Sequence, residues 1–246
     1  SGLKFGFDHS SEAGLVIGGI LIALSIVIWS VMVSKLWMLS RTRKANSAFL
    51  RAFHSSPHPL ALFQTREHHD YSPLYHVYHA ASRELAFHLL GTDEPDATFA
   101  TRLNSAGRIT PSQMNAVATA MERAIGEASV KLESKMSAVA LLLNGAPFLG
   151  VLGTVWGVMD TYGALAGAAE GAALQTMAPG VCAALLSSVI GLLVAIPGMF
   201  GCQLLAERIR ALIGRLDHFA SEFSSVLGRH FVDHRVIADE LPSIGS

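Results

Sequence analysis

The chain has 246 residues, 51% of them hydrophobic and 15% charged, with a formal net charge of −1. That balance, with no basic stripe interleaved with aromatics, argues against nucleic-acid binding. The apolar residues gather in three blocks instead of spreading through a core, which argues against an ordinary soluble domain.

Before the first block there is no basic n-region and no small-residue cleavage site, so residues 1–12 do not read as part of a removable signal. Residues 13–34, from Ala13 to Ser34, are uncharged between Glu12 and Lys35. As a helix they rise about 33 Å, enough to cross a hydrocarbon core. Trp29 and Trp37 lie toward the far end, where indoles favour the interface, and Lys35, Arg41, Arg43 and Lys44 follow. By the positive-inside rule that end is cytoplasmic and the N-terminus is periplasmic.

Residues 35–137 are polar and are expected to form a cytoplasmic helical domain. Pro57, Pro59, Pro73, Gly91 and Pro95 divide its first part into short helices. A longer helix then opens with Thr110 as N-cap, Pro111 at the first helical position and Gln113 at capping-box spacing. Met114, Val117, Met121, Ile125, Ala128, Leu132 and Val139 follow in helical rhythm. Arg123, Glu127 and Lys131, four apart, mark the exposed side. No stop signal ends this helix, so it is expected to run straight into the second apolar block. Seven of the eleven histidines lie between His54 and His88, including His68-His69 and His76 with His79. With no cysteine among them and only Glu67 and Asp70 nearby, a solvated helical surface is preferred to a metal site.

From Met136 to Ala206, 71 consecutive residues carry no lysine, arginine or histidine and only two acids, Asp160 and Glu170. This is the pattern of a membrane hairpin, with a second span at 138–165, a short periplasmic loop at 166–173 and a third span at 174–203. Arg208, Arg210 and Arg215 follow the third span and place that end in the cytoplasm as well. Residues 204–246 are expected to be a cytoplasmic C-terminal helix and tail. Leu205, Ile209, Leu212, Leu216, Phe219, Phe223 and Val226 form a heptad-like seam, broken near Gly228, that would pack on the helix starting at Pro111. Cys182 and Cys202 are the only cysteines. Roughly 30 Å apart along one helix, they are beyond disulfide reach and read as small packing residues.

Small and hydroxyl residues run through both later spans. Gly150, Thr154, Gly157 and Thr161 share one face of the second, and Gly180, Ala184, Ser187, Gly191 and Ala195 one face of the third. Two readings fit. The stripes let backbones pack closely, with hydroxyls bonded within their own helices, or they line a wet path whose hydroxyls meet water or a carboxylate. Thr154 and Ser187–Ser188 sit near the midpoints of their spans, which an antiparallel hairpin would bring level.

The run Ala146-Pro-Phe-Leu-Gly-Val-Leu-Gly-Thr-Val-Trp-Gly-Val-Met159 resembles the signature of the TolQ/ExbB branch of the MotA/TolQ/ExbB proton-channel family. So does Met177-Ala-Pro-Gly-Val-Cys-Ala-Ala-Leu-Leu-Ser-Ser-Val-Ile-Gly-Leu-Leu-Val-Ala-Ile-Pro197. The resemblance implies an all-α integral membrane protein of the bacterial inner membrane with three spans. It also implies a homopentamer around a dimer of single-span TolR/ExbD-like partners, which supply the proton-accepting aspartate. A TonB/TolA-like energy-transducing protein is a further candidate partner, and no cofactor or metal is implied. By position, Thr154 corresponds to the pore threonine of the second span and Ser188 to that of the third. The stripe spacing favours Ser187 instead, one residue away; the motif places the role at Ser188, with Ser187 second. Pro179 and Pro197 match family prolines that would bend the third helix.

Two departures stand out. The family usually carries a glutamate where this chain has Ala183, and Asp160 occupies a position where relatives often have histidine or asparagine. Asp160 is either a compensating acid at the pore mouth or a surface acid on the loop side. The function implied is a motor subunit that couples proton flow to mechanical work on envelope proteins. The alternatives are a non-conducting scaffold for the partner and a sodium-driven version of the same motor. A solute transporter lacks the repeat such folds show, and an enzyme lacks any nucleophile–base constellation or phosphate loop.

Overall fold

The computed structural model describes residues 12–65, 69–92, 94–95, 98–166 and 173–232, without side chains at 12–15, 100, 104 and 173–176. Among these residues the elements are helices: α1 (Glu12–Ser55), α2 (Ala61–Gln64), α3 (Pro73–Leu90), α4 (Phe99–Ser105), α5 (Pro111–Glu133), α6 (Met136–Leu165) and α7 (Ala173–Phe231). One isolated bridge pairs Ile109 with Val232. Three stretches are long and apolar enough to cross a membrane; they lie within Val16–Ser55, Pro111–Leu165 and Met177–Phe231. The loop after α6, with Glu170, the N-terminal segment and the tail from residue 233 lie outside the described residues.

The chain divides into two units. The apolar unit takes residues 1–36 and 133–207. Inside it Leu21 packs with Ala146 and Ala195, and Ile28 and Met32 pack with Val139 and Leu143. Its outer surface is apolar as well: Ile26, Trp29, Phe148, Val155, Met159, Leu193 and Phe200 are all exposed. A helix apolar on both its inner and outer faces belongs in lipid, where exposed leucine costs nothing.

The polar unit takes residues 37–132 and 208–246. Its core is aromatic. Tyr78, fully buried, lies 5.6 Å from Phe49 and 5.2 Å from Phe223 between ring centroids, and Phe53 and Phe219 complete the cluster. The Tyr78 hydroxyl accepts a hydrogen bond from the Phe63 amide at 3.1 Å, so this buried polar group is satisfied. Burial pushes its pKa up to about 12, because the phenolate would lose its water.

The caps explain where the helices of this unit begin and end. Ser72 caps α3, accepting from the Tyr75 amide at 3.2 Å while donating to Asn46 Oδ1 at 2.7 Å. Pro73 follows at the first helical position, and Gly91 closes α3 with φ of 68°, the left-handed conformation that glycine adopts without strain. At Thr110 the expected capping box forms. Gln113 Oε1 accepts from the Thr110 amide at 2.9 Å, and Thr110 Oγ1 accepts from the Gln113 amide at 3.3 Å. Val117, Met121 and Ile125 of α5 share one core with Leu216, Phe219 and Phe223 of α7, as the two apolar rhythms require.

Three expectations are corrected. The helix from Pro111 does not run unbroken into the second apolar block: Lys135 adopts φ of 66° and separates α5 from α6. No glycine or proline marks the break. Beside it Lys35 Nζ donates to Ser134 Oγ at 3.2 Å, a contact distant in sequence. The α7 seam does not stop at Gly228. It shifts from half-buried Val226 to buried Leu227 and Phe231, and the Phe231 carbonyl accepts from the Ile109 amide at 2.8 Å. Nor do the histidines all form a solvated surface. His69 edges against Phe49, His79 against Phe63 and His58 against Phe231.

Two outcomes follow for stability. A non-glycine residue in the left-handed region costs about 1–2 kcal/mol, so Lys135→Gly is expected to raise stability by up to about 1 kcal/mol in thermal unfolding of the purified protein. His58 Nδ1 accepts from the Leu60 amide at 3.2 Å, and burial, then His230, lowers its pKa below the usual 6.5. The unfolded chain then takes up this proton first, so the contribution is full above about pH 6.5 and fades as pH falls below it. His58→Asn keeps an acceptor and is expected to lose less stability between about pH 7.5 and pH 5.5 than the parent, as read from thermal midpoints.

Candidate ion-pathway site

The site lies within the apolar unit, where α6 and α7 approach closely. The cause is a set of glycines. A Cβ on Gly150 would meet the Ser187 carbonyl oxygen at 3.0 Å and Ser188 Cα at 3.1 Å; on Gly191 it would meet the Ala146 carbonyl oxygen at 2.9 Å. A Cβ on Gly157 would come within 2.7 Å of Ala184 Cβ, and one on Gly180 would collide with Thr161. Gly150 and Gly191 are therefore where the backbones touch, and Gly157 and Gly180 make room for Ala184 and Thr161.

Close approach brings the mid-span hydroxyls together. Thr154 Oγ1 and Ser188 Oγ are 2.5 Å apart. Thr154 Oγ1 also lies 3.2 Å from the Gly150 carbonyl oxygen and 3.3 Å from that of Ala184. Both residues are half-buried. Two hydroxyl protons share four acceptors here, the two carbonyl oxygens and the two hydroxyl oxygens, so the pair has two arrangements. When Ser188 donates to Thr154, Thr154 donates to a carbonyl. When Thr154 donates to Ser188, the Ser188 proton has no other acceptor among the described residues and can point to a group outside the protomer.

The other expected residues lie elsewhere. Ser187 is buried in the seam under Gly153, where an added Cβ would be 2.7 Å from the serine Cβ. Thr161 is buried and donates to the Gly157 carbonyl of its own helix at 2.7 Å. Asp160 is exposed on the protomer, one residue away on a different face. Pro179 and Pro197 sit inside α7, which continues through both. Ala183, where the resemblance leads one to expect a glutamate, is buried. Cys202 packs beside Met32 and Leu143, whereas Cys182 is exposed. Among the described residues no group of three or more histidines, cysteines or acids could hold a metal ion.

Gly153, Gly198 and Gly201 were not singled out from sequence. Gly153 lies midway between Gly150 and Gly157 and seats Ser187, while Gly198 and Gly201 seat Leu143 and Met32. Gly153 could have been found from its three- and four-residue spacing within the same stripe.

Comparison with known proteins is decisive for the family. The sequence profile of the MotA/TolQ/ExbB proton channel family matches residues 92–218, a little over half of the chain. The chain belongs to this family. It is 30% identical over 212 residues to the Tol-Pal system protein TolQ of Haemophilus influenzae, covering 85% of this chain and 86% of that protein. It is 28% identical over 231 residues to the biopolymer transport protein ExbB of Xanthomonas campestris pv. campestris, covering 89% and 87%. The match to TolQ of Pseudomonas aeruginosa is 40% identical over 116 residues but spans only half of that protein. The chain is thus a multi-pass membrane protein of the TolQ/ExbB kind, a proton-channel family transport protein and not an enzyme.

The seam makes a paired prediction. Gly191→Ala places a methyl against backbone that cannot yield and is expected to cost about 1–3 kcal/mol. Gly163→Ala, where a Cβ meets nothing within 4 Å, is expected to leave the thermal midpoint in detergent unchanged or slightly raised, since alanine is the better helix former.

Proposed function

We propose that this family member is the channel-forming subunit of an inner-membrane motor in a Tol or Ton type energy-transducing system. Five copies would surround a dimer of single-span TolR/ExbD-like partners, and proton flow would drive work on periplasmic or outer-membrane proteins. The observation that carries this reading is the Thr154–Ser188 hydroxyl pair near the midpoints of the second and third apolar spans. In hydrocarbon a carboxylate is expensive without hydrogen-bond donors. A hydroxyl that can swing between an internal acceptor and an outside one supplies such a donor and gives it up again without any ion being buried. The partner's acid would accept this bond when charged and release it when protonated, so each proton would change which subunit it prefers. One proton descending a membrane potential of 100 mV releases about 2.3 kcal/mol, enough to bias such an exchange at each step.

The TolQ and ExbB relatives support membership in a Tol or Ton type system. The basic clusters after the first and third apolar blocks support a periplasmic N-terminus and a cytoplasmic C-terminus. In this arrangement Asp160 and Thr161 belong near the periplasmic end of the path. A second reading, a non-conducting scaffold, draws on the local carbonyl bonds of Thr154, which satisfy its hydroxyl without any passing ion. A sodium-driven motor remains the alternative for the coupling ion.

Reconstituted liposomes separate these readings. With the partner present, the parent is expected to conduct protons, and Thr154→Ala or Ser188→Ala to reduce flux more than about ten-fold while oligomer size is unchanged. Ser188→Thr, which keeps the hydroxyl, is expected to retain flux. Full proton flux in both alanine variants would refute the assignment, and flux that follows sodium instead would change the ion.

A further inference from the structure

Outside the seam, the polar unit carries a recess of about 280 Å³ between α1 and α7. It is lined by three exposed arginines, Arg43, Arg208 and Arg215, by Ser40, and by the buried leucines Leu39 and Leu212. No carboxylate lines it. Glu207 and Asp217 are exposed on α7 but lie off the recess. Where the groove continues along the same helices it gains Lys44, and its one acid there, Glu222, lies 3.8 Å from His54 Nε2.

Three like charges on one small rim repel one another unless an anion sits among them. Helical spacing holds them there: Leu39 and Arg43 are four apart on α1, and Arg208, Leu212 and Arg215 follow at four and three on α7. The position along the chain says which anion. Arg208 comes two residues after the uncharged run ends at Ala206, and Arg43 nine residues after Ser34. On continuing helices these are about 3 and 13 Å of rise, so the recess starts within a headgroup layer roughly 5–7 Å deep and opens on its water side, within reach of long arginine side chains. Trp37, 80% exposed and two residues before Leu39, is an interfacial anchor at the same level.

We propose that this recess binds the phosphate of an anionic phospholipid, with the arginines and Ser40 on the phosphodiester and the glycerol end resting on Leu39 and Leu212. Guanidinium forks match phosphate oxygens in pairs, and the apolar floor fits the upper part of a lipid better than a free inorganic anion. The site is separate from the hydroxyl pair and does not depend on ion passage.

The test uses the full chain purified in non-ionic detergent and titrated with dioleoyl-phosphatidylglycerol in mixed micelles. Dioleoyl-phosphatidylcholine and inorganic phosphate form separate arms. Bound lipid is counted by native mass spectrometry, and the thermal midpoint is followed alongside. Phosphatidylglycerol is expected to be retained and to raise the midpoint, phosphatidylcholine to bind much more weakly, and millimolar phosphate to do neither. Each of Arg43→Gln, Arg208→Gln and Arg215→Gln is expected to weaken retention about five-fold and the triple variant about 100-fold. Arg51→Gln, exposed on α1 away from the recess, is expected to change nothing. Should the triple glutamine variant fail to fold, the triple lysine variant is expected to keep the preference for phosphatidylglycerol at reduced strength. Undiminished retention by the triple glutamine variant, loss of that preference in the lysine variant, or equal retention of phosphatidylcholine would overturn the site. So would full stabilisation by phosphate alone, which would make it a soluble-anion site. Expulsion of lipid when subunits assemble would mean that a second copy covers the recess, and would overturn it equally.

Discussion

Two helices can bring short hydroxyl side chains midway along their apolar spans into hydrogen-bonding contact only when little stands between their backbones. In this protein Gly150, Gly157, Gly180 and Gly191 remove the side chains that would keep α6 and α7 apart, and Ala184 and Ala195 fill the remaining width. The Thr154–Ser188 pair is a product of that seam. So is the burial of Ser187 and Thr161, which the seam turns inward against Gly153 and Gly180. In lipid there is no hydrophobic force pressing helices together, so shape and hydrogen bonding must do it. A stripe of glycine and hydroxyl residues supplies both, which is why close packing and a polar path read alike in sequence.

The polar unit is held by a different force. Phe49, Phe53, Tyr78, Phe219 and Phe223 exclude water from its core, and the buried Tyr78 hydroxyl, the Ser72 hydroxyl and Asn46 Oδ1 find partners inside it. Side chains there interlock at aromatic edges, whereas those of the apolar unit meet across bare backbone. Helices α1 and α7 contribute residues to both units without a break, while the chain between α5 and α6 is interrupted at Lys135.

Most of the architecture was legible because it rests on local rules. Pro73, Gly91, Thr110 with Gln113, and the 71-residue stretch almost without charge each fix a helix end or a helix environment by short-range chemistry. The motif alignment and the stripe spacing disagreed over Ser187 and Ser188. The geometry gives each a distinct place: Ser188 at Thr154 and Ser187 under Gly153. What could not be read depends on contacts distant in sequence. The break at Lys135 lies beside the contact of Ser134 with Lys35, about a hundred residues earlier, and carries no turn residue of its own. The shift of the α7 seam to Leu227 and Phe231 depends on Ile109, and the edges of His58, His69 and His79 depend on which aromatic ring the fold delivers to them.

All three tryptophans of the chain, Trp29, Trp37 and Trp156, lie on the outer surface of the protomer, with 47%, 80% and 49% of their area uncovered. Indole emission follows the polarity of whatever touches the ring, so the tryptophan emission of this protein says little about its two cores. It reports instead on lipid, detergent or a neighbouring chain lying against the outside, giving assembly an optical signal that needs no label.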